Sequence, residues 1–144
     1  MQVFVTRKLP QSELDRLGEQ CEMDVWEDHL PPPYEVIKEK VATLDGLLCL
    51  LTDKIDADLM DSAPNLKVIS NMAVGYDNID VKSATQRGIP VGNTPGVLTE
   101  TSADMAFALL MTVARRIPEA QQYVKDGEWK TWHPTTLAGQ DIYG

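Results

Sequence analysis

Residues 45–53 read Asp-Gly-Leu-Leu-Cys-Leu-Leu-Thr-Asp, an unbroken apolar run from Leu47 to Leu51 between two polar turns. Apolar residues at consecutive positions leave no face for water, so the run predicts a strand covered on both sides, as in a parallel sheet. Working outward, the same rhythm recurs. Upstream, Val3 to Val5 reads as a short buried strand. A helix carries Leu14 and Leu17, with Ser12 expected as its N-cap, and Met23 to Trp26 reads as a second strand. The Pro31-Pro32-Pro33 run blocks helix until it ends, after which Tyr34, Ile37, Lys38 and Val41 follow helical spacing. Downstream come a short helix over Ala57 to Met60, a strand over Lys67 to Ser70, a helix over Val81 to Gln86 capped by Asp80, and a strand over Ile89 to Val91. Strands alternating with short helices predict parallel pairing through right-handed crossovers, hence a doubly wound α/β fold.

Bulk properties narrow the function. The 144 residues are 43% hydrophobic and 24% charged, enough for an ordinary globular core. A net charge of −9 argues against nucleic acid, which needs clustered Lys and Arg to release counterions. Cys21 and Cys49 stand far apart without metal or redox spacing, and read as small core residues in a reducing compartment. With neither a basic leader nor an apolar run of membrane length, the expectation is a soluble cytoplasmic protein with no membrane partner.

The last third breaks the rhythm. From Thr99 the chain runs Thr-Glu-Thr-Ser-Ala-Asp into Met105 to Met111 without a polar residue. Thr99 or Thr101 is expected to cap this helix, with Glu100 and Asp104 favoured by its dipole. Its apolar residues encircle it, so burial on all sides is expected, by a second domain or subunit or as an ordinary central helix. A weaker helix from Glu119 to Lys125 ends at Gly127, ahead of an aromatic, turn-rich tail.

In an open parallel sheet, ligands bind beyond the carboxyl ends of the strands. That rule selects Thr6-Arg7, Thr52-Asp53, Ala73 to Tyr76 and Asn93 to Gly96. At Gly75 the backbone can approach a ligand and successive amides can hold a carboxylate, unless the glycine merely serves a tight turn. Asp53 after an apolar strand suggests a phosphoacceptor, but the acidic pair and lysine that such a receiver domain needs are replaced by Thr6-Arg7 and Asn93-Thr94. His29 and His133 lack paired ligands or nucleophiles, the carboxylates are scattered, and no metal site, G-x-G-x-x-G or P-loop is present.

The stretches NMAVGYDNID (residues 71–80) and GIPVGNTPGVLTETSA (residues 88–103), followed by Arg115-Arg116 and Gly127-Glu128-Trp129, closely resemble the NAD(P)-dependent D-2-hydroxyacid dehydrogenases, most of all the glyoxylate and hydroxypyruvate reductases. The resemblance implies a flavodoxin-like, five-stranded parallel sheet of order 2-1-3-4-5 with a long C-terminal apolar helix. It divides the chain into a substrate domain over 1–98, a crossover and dimerisation helix over 99–126, and a tail over 127–144 leading toward a nucleotide domain. It further implies that the amides of Val74 and Gly75 hold the carboxylate of a small 2-oxo or 2-hydroxy acid, with Leu51 and Thr52 lining the pocket. Leu98, Ser102 and Val74 would lie near the nicotinamide, and Trp132 would narrow a partner subunit's site, the alternative for Trp132 being a packed core aromatic. A homodimer through the Thr99 to Ile117 helix follows from the same comparison.

In that family the catalytic arginine, glutamate and histidine lie beyond the segment present here, and LAGQDIYG (residues 137–144) leads into the glycine-rich loop. The expectation is therefore an N-terminal substrate-side fragment whose parent uses NAD(P)H, with no catalytic residue, no cofactor and no redox activity of its own. The competing reading is a stand-alone flavodoxin-like module for small ligands, or an engineered scaffold.

Overall fold

The computed structural model describes residues 1–143 and divides into two compact units, Met1–Val97 and a second from Leu98 onward. In the first unit β1 (Gln2–Val5), β2 (Glu22–Val25), β3 (Gly46–Cys49), β4 (Val68–Asn71) and β5 (Val91–Gly92) form one parallel sheet of order 2-1-3-4-5, as expected. The connections are α1 (Gln11–Gly18), α2 (Tyr34–Val41), α3 (Ala57–Asp61) and α4 (Val81–Gln86).

Register decides which side chains share a face. Phe4 pairs with Leu47, Leu47 with Ile69 and Ile69 with Val91, so these residues form one row across the sheet. Phe4, Leu47 and Ile69 are buried against Ile37 and Val41 of α2, Leu59 and Met60 of α3, and Ala84 of α4. Each such side chain contributes about 1.5–3 kcal/mol by leaving water. The neighbouring row, Val3 and Val5, points the other way into a smaller cluster with Cys21 and the α1 residue Leu17. Both cysteines are buried and free, and burial, with Asp53 nearby, pushes the Cys49 thiol up to about 12, so Cys49 is a packing residue.

Element ends correct several expectations. The apolar run extends past Leu50, but β3 stops at Cys49 because the Leu50 N–H is taken by the Asp53 carboxylate at 2.8 Å and cannot enter the ladder. At β5, Ile89 N–H bonds back to the Ala84 carbonyl and Pro90 has no donor, so the strand begins at Val91. Ser12 does not cap α1. Pro10 precedes that helix with φ −52°, and Gln11 already lies within it. Asp80 does cap α4, accepting from Ser83 N–H at 2.9 Å.

The second unit contains α5 (Thr99–Ala114) and α6 (Ile117–Lys125). Thr99 is the first residue of α5 and Leu98 sits at its N-cap position without a side-chain bond, so neither Thr99 nor Thr101 caps it. The alternative of an ordinary central helix is not met: Met105, Phe107, Leu109, Leu110 and Val113 are all more than half exposed. Within its own unit α5 has only α6 and a short tail to pack on, too little surface to enclose a helix that is apolar all round. Among the described residues, no helix is long and apolar enough to cross a membrane.

Candidate functional site at the carboxyl rim of the sheet

Four segments of the first unit meet at the carboxyl ends of the strands: Thr6-Arg7 after β1, Leu50 to Asp53 after β3, Met72 to Gly75 after β4, and Asn93 after β5. Asp53 organises the first two. Its side chain is fully shielded, and its carboxylate accepts from the Thr6 hydroxyl at 2.6 Å, Leu50 N–H at 2.8 Å and the Arg7 guanidinium at 3.0 Å. Arg7 also donates to Thr52 Oγ1 at 2.8 Å and to the Thr6 carbonyl at 2.6 Å. Thr52 Oγ1, accepting from Arg7, keeps its own O–H as a further donor. The phosphoacceptor reading of Asp53 is thereby closed on structural grounds, since every donor around this carboxylate belongs to the protein's own scaffold.

The other side of the rim is built on amides. The Ala73 carbonyl accepts from Thr94 N–H at 2.9 Å, the Val74 carbonyl from Asn93 Nδ2 at 2.8 Å, and the Gly75 carbonyl from Asn71 Nδ2 at 2.9 Å. Among the described residues, the N–H groups of Val74 and Gly75 donate to none. Both residues are exposed. Gly75 does not have a positive φ, and a Cβ built on it meets nothing within 4 Å, so the tight-turn alternative has no support. The loop has its carbonyls engaged and its N–H donors open.

Asn78 joins the two halves. Its Nδ2 donates to the Leu50 carbonyl at 3.1 Å and the Asp53 carbonyl at 3.0 Å, and its Oδ1 accepts from Asn71 Nδ2 at 3.1 Å. These amides, with Asp53 and Asn93, were not singled out in the sequence as organisers of the rim. Two asparagines flanking Gly75 within NMAVGYDNID are the signal that was available.

Leu51, Thr52, Val74 and Gly75 thus all lie on this rim, with the Leu51 side chain 64% exposed. Leu98, Ser102 and Trp132 belong to the second unit. Ser102 N–H bonds the Leu98 carbonyl in the first turn of α5, and Trp132 is 77% exposed, so the packed-core alternative for it is not met. His29 and His133 are both exposed.

A depression of about 300 Å³ opens beside Leu51 and Thr52, and Lys54, Asp56, Asp77 and Asp80 also border it. Lys54 is paired with Asp56 at 2.6 Å, and this, with the Tyr34 hydroxyl and Leu59 N–H, lowers the Asp56 carboxyl to about 2. Bonds from Ser83 likewise lower Asp80. Fixed negative charge there disfavours an acid. No group of acidic, histidine or cysteine residues suited to a metal occurs among the described residues. Nor do they fit the phosphates of a dinucleotide: no glycine-rich turn opens a helix, and α5 begins Thr99-Glu100, with a carboxylate in its first turn.

Comparisons with known proteins identify relatives of this chain in sequence and in fold. Residues 3–133 match the catalytic domain of the D-isomer specific 2-hydroxyacid dehydrogenases. A glyoxylate reductase of Korarchaeum cryptofilum is 56% identical over 143 residues, covering 99% of this chain and 43% of that protein. One from Thermococcus litoralis is 49% identical over 146 residues, covering 99% and 44%. Among solved structures, a protein from Thermus thermophilus superposes with a TM-score of 0.92 at 47% identity, covering 100% of this chain and 46% of the other. An NADPH-dependent glyoxylate/hydroxypyruvate reductase from Sinorhizobium meliloti, in complex with NADP and malonate, gives 0.71 at 34% identity, covering 96% and 43%. The chain spans less than half the length of these relatives.

Proposed function

This chain belongs to the D-isomer specific 2-hydroxyacid dehydrogenases, and on that premise we propose that it supplies the carboxylate-holding side of a glyoxylate/hydroxypyruvate reductase. The observation that carries the reading is the loop after β4, where the carbonyls of residues 73–75 are engaged while the Val74 and Gly75 N–H groups stay open. A 2-oxo acid seated there accepts both amides through its carboxylate, which turns its carbonyl carbon toward whatever attacks it. The Thr52 hydroxyl and the Leu51 side chain border the same acid, one offering a proton donor and the other limiting size. Paying for orientation in the fold, before the acid arrives, lowers the entropic part of the barrier.

The parent's reductant in this proposal is NAD(P)H, as the names of the structural relatives suggest. Leu98, Ser102 and Val74 are proposed to face the nicotinamide end, and Trp132 to border a partner's site. The chain's own residues hold and orient the acid, and none of them carries hydride. The exposed apolar residues of α5 support a homodimer through Thr99 to Ile117. The stand-alone binding module has no observation in its favour, because glyoxylate reductases match 99% of the chain.

Titrating glyoxylate into ¹⁵N-labelled protein tests the central claim: the Val74 and Gly75 amide protons shift together and saturate. Silence at 20 mM, on the order of the weakest useful affinity for two amides, refutes it. The chain alone is expected to give no NADPH oxidation with hydroxypyruvate, and sedimentation to give a dimer, which a clean monomer would contradict.

A further inference from the structure

A trans peptide unit sets the C=O of one residue antiparallel to the N–H of the next. Engaging the Ala73 carbonyl therefore aims Val74 N–H away from the scaffold, and engaging the Val74 carbonyl does the same for Gly75 N–H. The third engaged carbonyl, that of Gly75, is held by Asn71 Nδ2 at 2.9 Å and must aim Tyr76 N–H. That N–H also donates to nothing among the described residues, and Tyr76 is exposed. Asn71 is fully buried at the end of β4. It is fixed by the reciprocal amide contact with Asn78, whose Nδ2 is anchored on the Leu50 and Asp53 carbonyls.

Resting on the carboxylate reading above, we propose that Asn71, braced by Asn78, is a positioning residue that turns the Gly75-Tyr76 peptide so that Tyr76 N–H joins Val74 and Gly75 N–H as a third donor to the bound acid. Three consecutive amides offer the two carboxylate oxygens one more charge-assisted donor than two do. The two N–H groups of the buried Asn71 amide are divided between Asn78 Oδ1 and the Gly75 carbonyl. Asn71 touches no acid itself and acts through the peptide it holds.

The glyoxylate titration of the full chain reads this directly. In the unsubstituted protein Val74, Gly75 and Tyr76 amide protons shift with one Kd. In Asn71→Asp, whose second oxygen faces the Gly75 carbonyl, and in the milder Asn71→Ser, the Tyr76 response disappears and Kd rises by about tenfold or more, the loss expected for one charge-assisted donor. Ile37→Val in the core of α2 controls for stability, and keeps Kd within about twofold despite its own loss of stability. A response at Val74 and Gly75 without Tyr76 in the unsubstituted chain overturns this inference and leaves the carboxylate reading standing. So does an Asn71→Ser variant that binds within twofold of the parent. If neither variant folds, the Tyr76 response of the unsubstituted chain decides alone. No shift at any of the three amides overturns the carboxylate reading and this inference with it.

Discussion

Replacing Asp53 by alanine measures how strongly the rim is tied to the sheet. The lost carboxylate leaves Thr6 Oγ1, Leu50 N–H and one arm of Arg7 without their acceptor. The Arg7 side chain is only 14% exposed, so its charge stays largely out of water when its partner is gone. Removing one member of a buried ion pair costs about 3–5 kcal/mol. Arg7 keeps two neutral acceptors, Thr52 Oγ1 and the Thr6 carbonyl, which puts the loss at the lower end, about 3 kcal/mol. In a unit running from Met1 to Val97 this lowers Tm by about 12–24 °C. Asp53→Asn keeps the shape but sets an N–H₂ against one of the three donors, and should cost about 2 kcal/mol. Removing both partners, in Arg7→Leu with Asp53→Ala, should cost less than the sum of the single changes, since neither is left buried alone. Urea unfolding of the four proteins at pH 7, followed by circular dichroism, gives these differences from midpoints at constant slope. A loss below about 1 kcal/mol for Asp53→Ala, or strict additivity in the cycle, refutes the view that this carboxylate staples the rim.

Further substitutions separate stability from binding. Gly75→Ala meets no protein atom and has no left-handed backbone to strain, so its urea midpoint should stay within about 0.5 kcal/mol of the parent while glyoxylate binding weakens. Unchanged binding would remove the reason for glycine there. Asp56 titrates at about 2 in the folded chain against 3.8 ordinarily, with its bond from Lys54 the main cause. The folded value lies below the unfolded one, so this contribution is present above about pH 4 and is lost as pH falls toward 2. Asp56→Asn should therefore lower stability at pH 7 and flatten its decline between pH 4 and 2, and an unchanged slope counts against the assignment. Gly139 has φ +66°, and a Cβ there would run into the Ala114 carbonyl oxygen and lie 2.9 Å from Arg115 Cα. Gly139→Ala should break the 2.7 Å bond from Gln140 N–H to that carbonyl and speed hydrogen exchange at Gln140, while amides of the first unit keep their rates.

The sheet was legible because parallel strands buried on both faces leave apolar runs, and Val3 to Val5 and the run beginning at Leu47 are of that kind. Where elements end was less legible, because the ends depend on partners distant in sequence. Nothing in the Leu47 to Leu51 run says that Asp53 will take the Leu50 N–H, and Ile89 looks like strand until its N–H is seen bonded to Ala84. Capping divided along the same line. Asp80 satisfies Ser83 N–H three residues on, a local bond, whereas α1 and α5 start behind Pro10 and Leu98 with no side-chain cap to find. In the proposed site, the sequence pointed to Gly75 as a place for close approach, but the hydrogen bonds of Asn71 exist only once β3, β4 and the Asn78 turn are brought together.

The charge of the rim sets what the amides can achieve. The chain carries −9 overall, and the cations nearest the rim are already engaged, Arg7 by Asp53 and Lys54 by Asp56. A carboxylate reaching Val74 and Gly75 therefore gains amide dipoles without a free positive charge, and does so against the field of Asp56, Asp77 and Asp80 nearby. Neutral donors of this kind favour an anion by about 1.5–3 kcal/mol each at best. After the cost of immobilising the acid, that leaves affinity on the order of millimolar. Raising salt should then tighten glyoxylate binding slightly, by screening the surrounding carboxylates, where a site built on arginine or lysine would weaken. Glyoxylate titrations of the Val74 and Gly75 amides at about 20 and 300 mM sodium chloride distinguish the two. Weakening by threefold or more at the higher salt would mean that a free cation, and not the backbone, holds the acid.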